Sequence, residues 1–171
     1  WLEFKKPSIP TSAGIAVSGV GEQGHTVAFE MEGVTDATVG RTNLRTGRTF
    51  EVDHNYCRAV LVDGGDVIYV AGTTSIVVGE IVQHPFEVGP QVADTLKIIR
   101  WAITELGFEW DDLAQTRTYV VGGDPEIVEA ITSLESSLPH KQVANTVVGV
   151  PVLGRPEVVV EIEARVVKAR R

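Results

Sequence analysis

Between residues 56 and 167 the hydrophobic period switches from two to 3.6 and back, twice. No other feature constrains the fold as tightly, because strand side chains repeat every second residue and helix side chains every 3.6. Tyr56 to Val62 reads as a strand, Asp63-Gly64-Gly65-Asp66 as its turn, and Val67 to Gly72 as the return strand. The return strand is almost wholly apolar, which places it inside a sheet. From about Pro90, Val92, Leu96, Ile99, Ile103 and Leu106 recur at helical spacing, and Gly107 stops the run. Gln115 to Val121 is a further strand. Asp124-Pro125 reads as the N-cap and first residue of a second helix, with Ile127, Val128, Ile131 and Leu134 as its apolar stripe. Thr146 to Val150 and Val158 to Val167 are the last two strands. This order predicts an α+β fold, with two helices laid by right-handed crossovers on one face of a mixed sheet. The strands carry valine on both faces, so the uncovered face is expected to be buried by oligomerisation.

The rest of the chain is less patterned. Residues 1–14 read as an irregular lead-in. The segments 15–20 and 26–31 flank Gly21-Glu22-Gln23-Gly24 and predict a hairpin. Gly19 to Gly24 fits a GxGxxG pattern, but with no helix after it and no βαβ unit around it a nucleotide site is not expected. Residues 40–50 read as a loop or a ragged edge strand, and 73–87 as a loop.

Composition excludes several functions. With 171 residues the chain can bury one well-sized core. Its formal net charge of −8 opposes nucleic-acid binding, and the basic run from Arg165 to Arg171 reads as a solvated tail. No apolar run approaches the roughly 18 residues of a membrane span. The single cysteine, Cys57, excludes an intrachain disulfide and fits a reducing cytoplasm, the expected compartment. It has no adjacent histidine to activate it and reads as a buried, inert thiol. The four histidines lack metal-ligand spacing, so neither a metal nor a cofactor is expected.

The closing strand holds the sharpest candidate. Val158, Val160, Ile162 and Ala164 point one way, while Val159, Glu161, Glu163 and Arg165 point the other. Two carboxylates at i, i+2 on one strand face are either solvated or turned towards an interface or a cleft. Glu161 could act as a general acid or base, and Glu163 reads as structural. Tyr56 could line a cleft through its hydroxyl.

These segments resemble the Rid family of imine and enamine deaminases. Tyr56-Cys57-Arg58-Ala59-Val60 with Val67 to Thr74 resembles its opening hairpin, Thr116 to Val120 its middle strand, and Glu161-Ile162-Glu163-Ala164 its closing motif. The resemblance runs over residues 41–167. It implies a chorismate-mutase-like fold of about six strands with two helices on one face, built into a homotrimer with clefts between subunits. A 41–171 domain would then follow a 1–40 extension that holds the hairpin. The implied chemistry is hydrolysis of 2-imino or 2-enamino acids. Carried over by position, Glu161 and Tyr56 are the catalytic candidates, and Gly72 with Thr73 forms the substrate-binding turn. The family's serine is replaced by Ala71, and its substrate-carboxylate arginine falls at Ala144 or Asn145, beside Thr146, where no charge stands. Asn145, Thr146, Arg58 and Arg117 are the remaining substrate-binding candidates, the two arginines as replacements for the missing charge. The chain therefore reads as a divergent member acting on a small imine, enamine or enol-type metabolite. Related chorismate-cleaving enzymes make a role in specialised metabolism plausible. The alternative is a noncatalytic trimer that binds a small ligand or a protein.

Overall fold

The structure is a computed structural model that describes residues 9–17, 19, 33, 39–62, 64 and 66–168. In chain order it runs β1 (Arg41–Leu44), α1 (Thr49–Asp53), β2 (Ala59–Val62), β3 (Val67–Thr73), β4 (Ile76–Val77), β5 (Ile81–Val82), α2 (Val88–Glu105), β6 (Leu113–Val121), α3 (Asp124–Ser137), β7 (Ala144–Val150) and β8 (Val160–Val167). Six strands form one mixed sheet in the order β1-β2-β3-β8-β6-β7, and β4 pairs with β5 apart from it. The last strand, β8, enters between β3 and β6 and runs antiparallel to both. The apolar strand expected inside the sheet, β3, is indeed flanked on both sides. The fold is the α+β, chorismate-mutase-like one that the family resemblance implies.

The core lies between the sheet and the helices. Val92, Leu96, Ile99 and Ile103 of α2 are buried, each contributing about 1.5–3 kcal/mol relative to exposure. They meet Ile68, Val70, Val160, Ile162 and Val166 of the strands in one cluster. Gly107 ends α2 at φ +80, with its N–H bonded to Thr104 O and the Phe108 N–H to Ile103 O. That pair of bonds needs a left-handed residue between them, which glycine supplies without strain.

Several expectations change. The stretch 40–50 supplies both an edge strand, β1, and the short helix α1. The ladder of β2 starts at Ala59 rather than Tyr56, because Asn55 turns the chain at φ +52. The Cys57 and Arg58 N–H groups bond to Pro10 O and Leu44 O. The 73–87 stretch contains the small hairpin β4-β5. On α3 the buried residues are Ala130 and Leu134, while Val128 and Ile131 of the expected stripe face outward. The 15–31 hairpin and the GxGxxG pattern lie almost wholly outside the described residues, as do Asp63 and Gly65 of the expected turn.

By register, Val60, Val62, Val67, Val148 and Val167 lie on the open face of the sheet, as expected, among the half-buried Tyr69, Gln115, Arg117, Tyr119, Glu163 and Arg165. Among these, the Arg165 guanidinium lies 5.1 Å above the Tyr69 ring. No helix among the described residues is long and apolar enough to cross a membrane.

Candidate active site

A bulge in β3 creates the site. Val70 pairs with Ala164 and Thr73 with Ile162, so β3 carries one more residue than β8 between these pairs. The extra residue bends the strand and lifts Gly72 over Glu161. A Cβ on Gly72 would collide with Glu161 Oε1 and would come within 2.8 Å of the Ala13 methyl, so any larger residue there would displace the Glu161 carboxylate and the segment at Ala13. The expected Gly72-Thr73 turn is thus a bulge inside a strand.

Arg58 holds that bulge from below. It is 1 % exposed and donates from Nη1 to Gly72 O (2.8 Å) and Thr73 Oγ1 (2.9 Å). Its Nε reaches Glu51 Oε1 (3.2 Å), and its Nη2 reaches Glu51 Oε1 (3.1 Å) and the Tyr56 hydroxyl (3.3 Å). Glu51 is fully buried and accepts in turn from the Thr46 N–H and hydroxyl. A buried guanidinium is tolerated because its donors are matched. Arg58 therefore ties α1, Tyr56 and the bulge together, and its charge is spent on Glu51 rather than offered to a ligand.

Above the bulge lies a cavity of about 340 Å³. Tyr56, Gly72 and Glu161, three of the positions named from sequence, line it together. Glu161 is 8 % exposed and has no hydrogen-bond or ion-pair partner among the described residues. Burial, and then the nearby Glu163 carboxylate, push its pKa up to about 7 against a weaker opposing pull from Arg58. At neutral pH such a carboxyl populates both forms and can give or take a proton.

The other expected positions lie elsewhere. Thr73 is buried beneath the bulge on Arg58. Arg117 stands 3.5 Å from Glu163 on the open face. Asn145 and Thr146 are exposed on the edge strand β7, with Asn145 accepting from Thr116. None of these four lines this cavity in the same chain. Cys57 is buried and outside the cavity wall, its Sγ donating towards Ile9 O and Pro10 O, and burial raises its pKa to about 11. It is a structural thiol. Among the described residues no group of three or more His, Cys, Asp or Glu could hold a metal ion.

Sequence reasoning missed part of the wall. Phe50 and His54 of the α1 region lie with ring centroids 3.9 Å apart and planes tilted by 42°, and Tyr56 meets Phe50 edge-on at 6.1 Å. Two arginines also line the cavity, Arg48 and, from the β7–β8 loop, Arg155. Both are tied to Glu80, which sits at φ +60 in the β4–β5 connection. Ser12, Ala13 and Gly14 close one side, anchored by the Gly72 N–H donating to Ser12 O (3.1 Å).

The Endoribonuclease L-PSP family model matches residues 46–168. The chain belongs to this family, the Rid/YjgF proteins. A YjgF-family protein from Mycobacterium tuberculosis is 28 % identical, with a TM-score of 0.65 over 75 % of this chain and 100 % of that one. A putative endoribonuclease from Thermotoga maritima is 24 % identical, with a TM-score of 0.58 over 67 % of this chain and 87 % of that one. A Rid-family protein of unknown function from Yersinia pestis is 23 % identical, with a TM-score of 0.55 over 75 % and 98 %. Among curated proteins none matches the chain.

Proposed function

We propose that this Rid-family chain is an enzyme. It hydrolyses, or moves a proton on, a small imine, enamine or enol-type metabolite, with Glu161 as acid and base. One observation carries the reading: a buried carboxyl without a partner among the described residues, poised near neutrality, faces a cavity beside Tyr56 and the Gly72 bulge. In hydrolysis of a protonated imine, ionised Glu161 takes a proton from water as its oxygen adds to the C=N carbon, which leaves a neutral carbinolamine and protonated Glu161. Glu161 gives that proton to the amino nitrogen, and as the C–N bond breaks its carboxylate takes the hydroxyl proton, so that a carbonyl compound and ammonia leave and the remaining proton passes to ammonia.

The cleft is read as lying between subunits of a homotrimer, with residues 41–171 as the assembling domain and 1–40 as its extension. The half-buried aromatic and charged face of the sheet supports this, and Asn145 and Thr146 would then serve a neighbour's site. Light scattering should give three times the 18.5 kDa chain mass, and a monomer mass would overturn the assembly. A cytoplasmic location fits the free, buried Cys57. The net charge of −8 makes a small metabolite a better substrate than RNA.

The experiment is a panel of cyclic, aromatic and aliphatic imines and enamines, including 2-aminoacrylate, followed by carbonyl product. At least one should be turned over, and Glu161→Gln should lower that rate about a hundredfold. With no arginine on β7, 2-aminoacrylate should be a poor substrate. Equal rates for the wild type and Glu161→Gln across the panel would favour the noncatalytic ligand-binding trimer. Ala71 and the uncharged 144–146 stretch already support that second reading.

A further inference from the structure

We propose that residues 9–15 form a strap that completes the active site, walling the cavity on the bulge side and shutting water from Glu161. The inference deepens the reading of Glu161 as acid and base, and it rests on that reading for its meaning in turnover. The strap precedes residues 46–168, the part of the chain that matches the family, so this wall comes from outside the matched domain.

The strap is held at three points. Upstream, Pro10 O accepts from the Cys57 N–H at 3.0 Å, next to Tyr56. In the middle, Ser12 O accepts from the Gly72 N–H at 3.1 Å. Downstream, Ile15 packs against the cluster of Ile76, Val150, Leu153 and Val158. Tyr56, Gly72, Ile76 and Val158 all line the cavity, so the three holds lie along its rim. Ser12, Ala13 and Gly14 cross between them. They line the cavity on one side and are exposed to solvent on the other.

The bulge explains why such a wall is needed. Gly72 has no side chain to cover Glu161, and a Cβ there would meet both the Glu161 carboxylate and the Ala13 methyl. The Ala13 methyl therefore supplies cover that Gly72 cannot. Both polar groups of Gly72 are spent on the protein, its N–H on Ser12 O and its carbonyl on Arg58 Nη1 (2.8 Å). A ligand in the cavity meets the Glu161 carboxyl rather than a free backbone donor on Gly72. No charged residue stands between Ile9 and Val17, so the strap offers Glu161 cover and no counter-ion. The ionisable groups that face the cavity from other elements are Arg48, His54, Tyr56 and Arg155, with Arg58 beneath the bulge and Glu163 along β8. Arg48 and Arg155 are paired with Glu80, and Arg58 with Glu51. A carboxyl covered in this way, without a cation of its own, holds its proton more tightly than one in water.

Two pairs of full-length variants test the strap by NMR without any substrate. The readouts are the titration of the Glu161 carboxyl carbon and the hydrogen exchange of the Gly72 amide. Ile15→Ser unseats the downstream hold, and Ile15→Val keeps it. Ile15→Ser should lower the Glu161 midpoint by about one pH unit or more and speed Gly72 exchange about tenfold or more, with exchange in β6 and β8 unchanged. Ile15→Val should match the wild type. Ala13→Lys and Ala13→Gln have side chains of similar length and differ in charge. The lysine should place the Glu161 midpoint about half a pH unit or more below that of the glutamine variant. Should Ile15→Ser lose the sheet itself, the exposed Ala13 pair still decides. Equal midpoints in Ala13→Lys and Ala13→Gln overturn the proposal, and so does a wild-type midpoint in a folded Ile15→Ser. Neither readout depends on turnover. Midpoints that move as expected in a chain whose Glu161 turns nothing over sink only the enzyme reading. Turnover through Glu161 with midpoints that stay in place sinks only the strap.

Discussion

Glu161 and Glu163 stand two residues apart on one face of β8, yet they have opposite surroundings. Glu163 lies over the flat part of the sheet, where Arg117 Nη1 is 3.5 Å away and the Tyr119 hydroxyl donates to it at 3.2 Å. Its side chain is 28 % exposed. Glu161 lies over the bulge, walled by Gly72 and the 12–14 segment, and is 8 % exposed without a partner among the described residues. One extra residue in β3 separates the two environments. Strand alternation therefore places a carboxylate on a face, and the neighbouring strand decides whether it is a partly solvated ion pair or a buried carboxyl.

The largest difference should appear in the arginines beneath each region. Arg58→Leu leaves Glu51 fully buried and charged with its cation gone, and this should cost about 3–5 kcal/mol in urea unfolding. Arg117→Leu removes a partly exposed partner of Glu163 and should cost less than about 1 kcal/mol. Equal losses would mean that the bulge is not held by Arg58.

The next test is pH. Glu161 rises from 4.5 in the free side chain to about 7 in the fold, so the folded state binds its proton more tightly than the unfolded state. Its contribution is fully present below pH 4.5 and is lost as pH rises through 7, a decline of about 3 kcal/mol. Glu161→Gln removes this decline. The stability of that variant minus the wild type should therefore grow by about 3 kcal/mol between pH 4 and pH 8. Parallel stability curves for the wild type and Glu161→Gln would place Glu161 in water.

The two regions also differed in how far they could be read from sequence. Glu161 was legible because its valine and isoleucine neighbours alternate without a break, and because the closing motif resembles a known family. The helices α2 and most of α3 were legible for the same reason of period. The cavity wall was not. The helix α1 is five residues long and inverts the usual pattern, burying Glu51 while leaving Phe50 43 % and Val52 60 % exposed. A hydrophobic scan reads such a segment as a loop, and Arg48, Phe50 and His54 vanish with it. Arg155 sits between Gly154 and Pro156, in a connection with no period, and its role depends on Glu80, 75 residues earlier in the chain. The Val128 and Ile131 error on α3 has a simpler origin. Ala130 is small enough to pack closely on the sheet and claims the inner face, which turns the two larger side chains outward.

The smallest effect joins the two carboxylates to each other. Burial is the first cause of the raised Glu161 pKa, and the Glu163 charge is the second. Glu163→Gln keeps the size of the side chain and removes that charge, so the Glu161 titration should move down in pH. The shift should correspond to less than about 1.4 kcal/mol, a tenfold change in proton affinity, because Glu163 is partly solvated and the burial of Glu161 is untouched. NMR of the Glu161 carboxyl carbon would read it directly. If Glu161 is the acid and base, the pH profile of turnover should move with it in the same direction. A titration that stays in place would leave burial under the bulge as the whole cause. A titration that falls to the ordinary carboxylate range would mean that the charge of Glu163, not the bulge, sets the difference between the two regions.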